Sequence, residues 1–497
     1  DIIVVGTREE LAERVDGEVD PAELDLHRPS VDPLTITKNG TTYERVPDVF
    51  DVWIDSSVAT WGTLDYPSDD SEFDELWPAD LIIEAHDQTR GWFWSQLGMG
   101  TAALGEIPYE EVLMHGFAND SDGRKMSKSL GNIVTPEEAI DRFGRDPLRA
   151  YLLRHDQHGA DLSFEWDGLA DTQSTLNILW NVFRFPLPYM RLDGYDPAAA
   201  SLSDGKRTVV DEWVLSRLQS VKREVHEAWD DYAVHDALNA LFEFATEDVS
   251  RFYVKAIRER MWDEEDSESK RGAYATISVV MEEVIRLLAP FTPYIAERMY
   301  QRADGAATTV HELPYPDVDE TLHDEALEAN MAVLRRVEEA AANARQQAGR
   351  KLRWPVTRVV VESDEESVRE AAAALSDLLG ERVNSREIAV TDSFGDLVET
   401  ARPQMSVIGP EFGARAQKVM SAVEGATREE LSAEGTLSVV VDGDEHELDA
   451  EMVDFVAEPP EGIAAAEFEG GTVYVDTELT EDIESEGYAR DVVRRVQ

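Results

Sequence analysis

The segment from Val112 to Phe143 constrains the fold more than any other part of the chain. Its apolar run, Val112-Leu113-Met114-His115, is typical of a buried strand that ends at Gly116. Thr135-Pro136-Glu137-Glu138 is a capping box with proline at the first helical position, which predicts a helix from Glu137 to Phe143. The order strand, loop, helix is that of a parallel α/β sheet, in which ligands bind at the carboxyl ends of the strands.

The loop between this strand and this helix is basic and flanked by glycines. It reads Gly123-Arg124-Lys125-Met126-Ser127-Lys128-Ser129-Leu130-Gly131-Asn132 and holds two of the nine lysines of the chain. Two ammonium groups and two hydroxyls between glycines suit a polyphosphate ligand. A merely solvated loop is the alternative, but the scarcity of lysine elsewhere argues against it.

Composition sets outer limits on the class of protein. The chain has 497 residues, of which 42% are apolar and eleven are tryptophan, so it should form several packed domains and not a disordered polymer. Its net charge of −57 ordinarily argues against a nucleic-acid partner. Because the acidic residues are spread along the whole chain, they are typical of a surface adapted to a salt-rich cytoplasm.

Two absences narrow the class further. There is no cysteine, which excludes disulfides and thiolate zinc sites, and we expect no zinc site in this chain. No signal peptide or membrane-length apolar run is visible, so we expect a cytoplasmic protein without a membrane partner.

Apolar periodicity predicts the remaining elements of the first third. Leu81–Glu84 should be a strand and Trp92 to about Leu104 a helix, which with the Val112 strand makes a β-α-β unit. Nearer the start, Ile2–Val5 predicts a short strand and Arg8–Val15 a short helix.

The rest of the chain divides into a helical part and a mixed part. Long amphipathic helices are predicted from Asp211 to about Arg302, with a kink or restart at Ala289–Pro293, and another helix over Glu325–Gln347. After Pro355 the pattern changes. Strands are predicted at 356–361, 388–390, 437–441 and 473–475, and helices at 366–379 and from about 480.

Lys125-Met126-Ser127-Lys128-Ser129 matches the K-M-S-K-S signature of the class I aminoacyl-tRNA synthetases letter for letter. Asp51–Ser56 is similar to D-V-W-F-D-S-G, and Glu84–Trp92 to E-G-x-D-Q-x-R-G-W, of the archaeal isoleucyl-tRNA synthetases. The sequence therefore resembles that family over nearly its whole length. Valyl- and leucyl-type synthetases share the lysine loop but usually lack D-Q-x-R-G-W, and they are the alternatives.

The resemblance implies a multidomain α/β plus all-α protein that lacks the N-terminal part and the extreme C-terminus of its family. Residues 1–47 would be a remnant of the connective or editing insertion, and 48–165 the second half of a Rossmann-like catalytic domain with the lysine loop. Residues 166–204 would be stem-contact and linker helices, 205–355 a helical anticodon-binding domain, and 356–497 an incomplete, small C-terminal α+β domain.

The activity implied by the resemblance is that of an ATP-dependent isoleucine-tRNA ligase. Isoleucine would be activated by ATP to isoleucyl-adenylate and transferred to tRNA(Ile), by an enzyme that we expect to be a monomer. Lys125 and Lys128 would be catalytic, holding the phosphates as pyrophosphate leaves, with Mg²⁺ sharing that charge. The other predicted ATP-binding residues are His115, Gly116, Met126, Ser127 and Ser129.

The remaining predicted contacts also come from the resemblance. Glu84, Asp87 and Gln88 would bind the amino-acid or ribose part of the adenylate. Trp53 and Trp92 would wall the isoleucine side chain, with plain core tryptophans as an equal alternative. A second basic cluster either contacts tRNA, with its tryptophan stacked on bases, or forms a domain seam. Its members are Arg345, Arg350, Lys351, Arg353 and Trp354.

Two hypotheses from other classes stay open at this point. The chain could bind tRNA without catalysing, because half of the active site is missing. It could also be an unrelated acidic helical scaffold with a chance lysine loop, although the tryptophan-bearing motifs would then be unexplained.

Overall fold

The computed structural model describes residues 2–49, 51–155, 157–303, 305, 307–423, 426, 430, 435–449 and 452–496. The chain forms two compact units. The first consists of Asp1–Asn177, Val225–Phe242 and Pro290–Ile295, and the second of Ile178–Glu224, Glu243–Ala289 and Ala296–Gln497. No described helix is both long enough and apolar enough to cross a membrane.

The first unit is built from short strands and helices. Its strands are β1 (Thr35–Lys38), β2 (Thr41–Glu44), β3 (Ala79–Ala85), β4 (Tyr109–His115), β5 (Ala118–Asn119) and β6 (Leu162–Ser163). Its helices include α1 (Arg8–Arg14), α2 (Val52–Ser57), α3 (Ala59–Gly62), α4 (Phe73–Leu76), α5 (Trp92–Leu104), α6 (Pro136–Phe143) and α7 (Arg145–His155), with a 3₁₀ turn at His86–Arg90. Strands β3 and β4 pair in parallel on either side of α5 in sequence, so the predicted β-α-β unit is confirmed.

Local signals fixed the helix boundaries well in this unit. The Thr135 side chain accepts a hydrogen bond from the backbone N–H of Glu138 at 3.2 Å, and α6 ends at Phe143 as predicted. The strand predicted at Ile2–Val5 is wrong: these residues are not in regular structure, and Ile2 and Val4 are each 80% exposed. Among the described residues no strand pairs with this run, and an apolar run without a neighbour cannot form a ladder.

Long helices follow, as predicted. They are α8 (Trp166–Arg184), α9 (Leu187–Leu192), α10 (Val209–Asp230), α11 (Val234–Glu243), a π-helical stretch Phe244–Tyr253, α12 (Val254–Trp262), α13 (Glu268–Leu288), α14 (Pro293–Arg302) and α15 (Glu325–Gln347), with 3₁₀ turns at Pro197–Ala199 and Val310–Glu312. The interruption between α13 and α14 confirms the predicted restart. Leu215, Leu218 and Val221 of α10 are fully buried at helical spacing, which explains the amphipathic pattern.

The last part of the second unit is α+β. It contains β7 (Val356–Glu362), α16 (Glu366–Ala374), α17 (Ser376–Val383), β8 (Ser385–Thr391), β9 (Val398–Pro403), α18 (Met405–Phe412), a 3₁₀ turn Gly413–Arg415, α19 (Ala416–Val423), β10 (Leu437–Val441), β11 (Asp444–Leu448), β12 (Val453–Glu458), β13 (Ile463–Phe468), β14 (Gly471–Asp476) and α20 (Glu481–Val496). A sheet of order β13-β14-β7-β8 contains the parallel pair β7 and β8, while β10–β11 and β9–β12 are antiparallel pairs.

The continuous helix predicted over 366–379 is wrong in one respect. Leu375, at φ −110° and ψ 22°, leaves helical geometry and divides the segment into α16 and α17. Its side chain stays buried, so the break keeps an apolar residue in the core. The mixed fold class, with α/β, helical and α+β parts, is confirmed.

Candidate nucleotide-binding site

The carboxyl ends of β3 and β4 lie side by side in the first unit. Their parallel register pairs Glu84 with Met114 and Ala85 with His115, so Glu84 and His115 are both near this edge. The Nδ1 atom of His115 lies 2.8 Å from the carbonyl oxygen of Gly116. A Cβ added to Gly116 would lie 1.9 Å from the carbonyl oxygen of Ala160, which explains why only glycine fits there.

Asp161 organises this edge, and sequence reasoning missed it. Its carboxylate accepts hydrogen bonds from the N–H of Phe117 at 2.8 Å and from the Asn119 side chain at 3.2 Å. The Nε2 atom of His86 lies 3.3 Å from the same carboxylate. These contacts, the Phe117 N–H first among them, lower the pKa of Asp161. Asp161 thereby joins the turn after β3 to the chain after β4, although no motif surrounds it in the sequence.

The lysine loop directs its two ammonium groups outward. Lys125 and Lys128 are exposed, and the Nζ atom of Lys125 lies 5.2 Å from the ring centre of Phe117. Among the residues that the structure describes, no carboxylate forms an ion pair with either lysine. Arg124 differs, because its guanidinium pairs with Asp120 at 3.0 Å and with Asp122 at 2.7 Å.

The other predicted loop residues face one another or the core. Met126 packs against an apolar cluster that contains Tyr151, Phe164 and Leu169. The hydroxyl oxygens of Ser127 and Ser129 lie 3.2 Å apart. Met126 thus anchors the loop to the apolar cluster, while the two serine hydroxyls lie within hydrogen-bonding distance of each other and the two lysines are exposed.

The amino end of α5 is built by the predicted substrate residues. The Oε1 atom of Gln88 accepts a hydrogen bond from the N–H of Trp92 at 2.8 Å, which caps the helix, and its Nε2 atom donates to Asp87 at 3.3 Å. A Cβ on Gly91 would lie 2.5 Å from that Oε1 atom and 3.2 Å from the ring of Trp53, so this glycine lets both side chains approach.

The two predicted tryptophans have different surroundings. The indole N–H of Trp92 donates to the carbonyl oxygen of Ser56 at 2.9 Å, and its ring is half-buried. Trp53 is 42% exposed, which excludes a plain core position for it. Asp51 has a structural role, because its side chain caps α2 by accepting a hydrogen bond from the N–H of Trp53 at 2.9 Å. Glu84 and Asp87 are exposed.

The second basic cluster lies in the second unit and is occupied by internal contacts. Arg345 is only 1% exposed. Its guanidinium donates to the carbonyl oxygens of Val383 at 2.8 Å and of Lys351 at 2.6 Å, and also to that of Trp354. Burial without a facing carboxylate lowers the pKa of Arg345 to about 10. This side chain therefore ties the chain after α15 to the end of α17.

Three other members of the cluster converge on Asp491 of α20. Its carboxylate pairs with Lys351 at 2.8 Å and with Arg353, and it accepts from the indole N–H of Trp354 at 3.3 Å. Further contacts are made by Arg350 with the carbonyl oxygen of Thr477 at 2.9 Å, and by the Trp354 ring with that of Tyr488 at 5.1 Å. These are the contacts of a seam, and a role in tRNA binding stays a prediction.

Comparison with known proteins assigns two stretches of the chain. Residues 2–165 match the family of tRNA synthetases class I (I, L, M and V), and residues 211–361 match the anticodon-binding domain of tRNA ligases. The first match contains β3, α5, β4 and the lysine loop. This match begins at residue 2 and therefore runs through the expected boundary between residues 47 and 48. The expected domain boundaries stay predictions.

Curated relatives resemble the chain from end to end. An isoleucine–tRNA ligase of Haloquadratum walsbyi is 69% identical over 497 residues, covering 100% of this chain and 47% of the relative. One of Natronomonas pharaonis is 56% identical, covering 100% of this chain and 48% of that protein. The chain thus spans about half the length of the curated relatives it matches.

A solved structure, Mycobacterium tuberculosis methionyl-tRNA synthetase in complex with methionyl-adenylate, is 26% identical. Its TM-score is 0.44, and the match covers 52% of this chain and 51% of that one. By its two family matches, and by the parallel strands that carry the lysine loop, the chain resembles the class I aminoacyl-tRNA synthetases. Within that class, the chain is similar over its whole length to isoleucine–tRNA ligases, of which it spans about half.

Proposed function

We propose that the chain is the nucleotide-binding and anticodon-binding portion of an isoleucine–tRNA ligase. The full-length protein would join isoleucine to ATP and transfer the product to tRNA(Ile). The observation that carries this proposal is the 69% identity with a relative of that name over all 497 residues. Identity this high leaves little room for a different set of substrate-contacting surfaces. A valyl- or leucyl-type specificity is the alternative.

The first step would be an in-line displacement at the α-phosphorus of ATP. A carboxylate oxygen of isoleucine forms the new bond to phosphorus, and the bond to the departing pyrophosphate breaks. Such a step needs positioning and charge stabilisation and no covalent nucleophile. Lys125 and Lys128 suit this role because their ammonium groups are exposed. Ser127, Ser129 and the backbone at Gly116 would complete the phosphate contacts, with Met126 and His115 shaping the site.

Isoleucine and the adenylate would lie between the ends of β3 and α5. Glu84 and Asp87 are exposed carboxylates, which suit the ammonium group of an amino acid or the hydroxyls of a ribose. Gln88 is already bonded to the N–H of Trp92, so its part would be to hold the helix end. The half-exposed faces of Trp53 and Trp92 would bound the aliphatic side chain.

Mg²⁺ would accompany the nucleotide. Among the described residues, no group of three or more histidine, aspartate and glutamate side chains could hold a metal ion. Mg²⁺ commonly keeps several waters and binds through substrate phosphates, so a site supplied mostly by ATP would suit it.

The tRNA would meet the region of residues 211–361, which matches an anticodon-binding domain. Lys351 and Arg353 are partly exposed and would supply basic contacts, although both pair with Asp491. With a net charge of −57, the protein would depend on shape, stacking and base-edge hydrogen bonds more than on phosphate contacts. We further propose a monomeric enzyme of the cytoplasm.

The test is ATP–pyrophosphate exchange by the full-length protein, scanned across all twenty amino acids with an amino-acid-free control. Exchange that depends on isoleucine, with weaker exchange on valine, supports the proposal. Exchange led by valine or leucine would move the chain to the alternative specificity. Binding of tRNA without any exchange would favour the second candidate, a noncatalytic tRNA-binding protein, which the half-length match to the relatives keeps open.

A further inference from the structure

The lysine loop is closed at its base by one buried carboxylate. The Oδ1 atom of Asp120 accepts hydrogen bonds from the backbone N–H groups of Asp122 at 3.1 Å and Arg124 at 2.8 Å. Its Oδ2 atom accepts from the Nε of Arg124 at 3.1 Å and from the side-chain amide of Asn132 at 2.8 Å. Asp120 is 9% exposed, so these bonds are largely protected from water. One side chain thus binds both ends of the loop.

Asn132 extends this contact into the middle of the loop. Its Oδ1 atom accepts a hydrogen bond from the N–H of Ser127 at 2.9 Å, and its amide also donates to the carbonyl oxygen of Lys125 at 3.3 Å. These two backbone groups lie on either side of Met126. Asn132 therefore fixes the backbone at Lys125 and one residue before Lys128.

The backbone of the loop is compatible with such a clamp. Gly123 and Gly131 have φ values of 75° and 66°, which only glycine adopts without strain, and they turn the chain just inside the two ends. The hydrogen bond from Asn132, followed by that from the N–H of Arg124, lowers the pKa of Asp120 to about 2. The carboxylate is therefore ionised throughout the neutral range.

We propose that Asp120 and Asn132 are positioning residues, which form a clamp that holds Lys125 and Lys128 where the phosphates of ATP are bound. The inference rests on the proposed function for its substrate, because it assigns the loop to ATP. The clamp itself is a property of the loop. It can be measured without any catalysis.

The chemistry of the two side chains supplies a sharp set of variants. In Asp120→Asn an NH₂ group must face either the backbone N–H groups or the amide of Asn132, so donor meets donor on one side. In Asn132→Asp two carboxylates meet. The double variant Asp120→Asn/Asn132→Asp restores a donor opposite an acceptor at the central contact. Asp122→Asn is the matched control, since Asp122 is exposed and pairs only with Arg124 among these groups.

The experiment uses the full-length protein and two readouts. The first is the rate of tryptic cleavage after Arg124, Lys125 and Lys128, followed by mass spectrometry. The second is the KM for ATP and kcat of isoleucine-dependent pyrophosphate exchange. Each single variant should be cleaved faster, and its kcat/KM for ATP should fall by between about tenfold and a hundredfold, the range for a misplaced catalytic group. The double variant should return toward wild type in both, and Asp122→Asn should match wild type.

Contrary results would distinguish a failure of the clamp from a failure of the proposed function. Unchanged cleavage in both single variants, or a double variant no better than the worse single, would overturn the clamp. Absence of exchange by the wild-type protein would contradict the proposed function, and the cleavage rates would still decide on the clamp. If the circular dichroism spectrum shows that Asp120→Asn is unfolded, Asn132→Ala is the second variant. It removes the hydrogen bonds of the Asn132 side-chain amide without adding charge, and faster cleavage after Lys125 is again the expected result.

Discussion

The lysine loop and the cluster around Arg345 are the two densest basic regions in the sequence, and their structures differ. Lys125 and Lys128 are exposed, with no carboxylate paired to them among the described residues. Lys351, Arg353 and Trp354 all contact Asp491, and Arg345 is buried against carbonyl oxygens. Basic residues close together in sequence therefore do not by themselves define a site for a polyanion. The partners that the fold supplies decide whether a positive charge is available.

The largest expected effect lies in the first region. Lys128→Ala should raise the activation barrier of adenylate formation by about 2–4 kcal/mol, the range for losing one preorganised charged or hydrogen-bonding donor. Binding of isoleucine and the free energy of unfolding should change much less, because the side chain is exposed. Pyrophosphate exchange and urea denaturation of the full-length protein measure the two quantities.

The control for this variant is Lys38→Ala, which removes an exposed lysine from the β1–β2 hairpin. An exchange rate for Lys128→Ala as high as that of Lys38→Ala would show that the loop lysine takes no part in activation.

The opposite behaviour is expected in the second region. Arg345→Met should lower the free energy of unfolding by about 2–3 kcal/mol, because buried carbonyl oxygens at Val383, Lys351 and Trp354 lose their donor. Exchange by the folded fraction should be retained. Chemical denaturation monitored by circular dichroism gives the first quantity. A stability equal to wild type would mean that water or backbone relaxation satisfies these carbonyls.

A smaller effect is expected on specificity. Discrimination between isoleucine and valine by one methylene is limited to about 1–3 kcal/mol, a general figure for which isoleucyl-tRNA synthetases are themselves the usual illustration. Trp92→Ala should erode part of that difference in exchange rates. Trp94→Ala, on the same helix but 70% exposed, is the matched control. If the isoleucine-to-valine ratio of a folded Trp92→Ala protein equals that of the control, Trp92 supports the helix and does not touch the substrate.

The smallest effect on stability is expected for Lys351→Ala. Its pair with Asp491 is half-exposed on the lysine side, and exposed ion pairs contribute little to folding. The variant is informative for tRNA. Affinity for tRNA equal to wild type, measured by filter binding, would leave this region as a seam, whereas a clear loss would support the predicted contact.

Local sequence patterns predicted the lysine loop and the helices near it, but they did not predict the contacts of the cluster around Arg345. The K-M-S-K-S loop, the capping box at Thr135 and the helix from Trp92 to Leu104 are each encoded within a few consecutive residues, so a sequence read in order reveals them. Asp161 and Asp491 could not be predicted in this way. Asp161 lies 44 residues from Phe117, and Asp491 lies 140 residues from Lys351, and no periodicity links either pair.

The same limit explains the two errors in secondary structure. Apolar composition suggested a strand at Ile2–Val5, but a strand requires a neighbour that the local sequence cannot show. Helix propensity continued through Leu375, whereas in the structure this buried residue leaves helical geometry. Local preference alone did not decide the structure in either place.

The proposal that the chain is part of an isoleucine–tRNA ligase is tested most directly by aminoacylation of tRNA(Ile) by the full-length protein in molar KCl. High salt is chosen because the chain has a net charge of −57, so its carboxylates repel one another and the phosphates of tRNA. Near 1 M salt the Debye length falls to about 3 Å, which screens this repulsion. We expect that isoleucine is attached to tRNA(Ile), and that Lys128→Ala nearly abolishes the attachment while Lys38→Ala does not. A folded protein that attaches another amino acid, or none, would contradict the proposal.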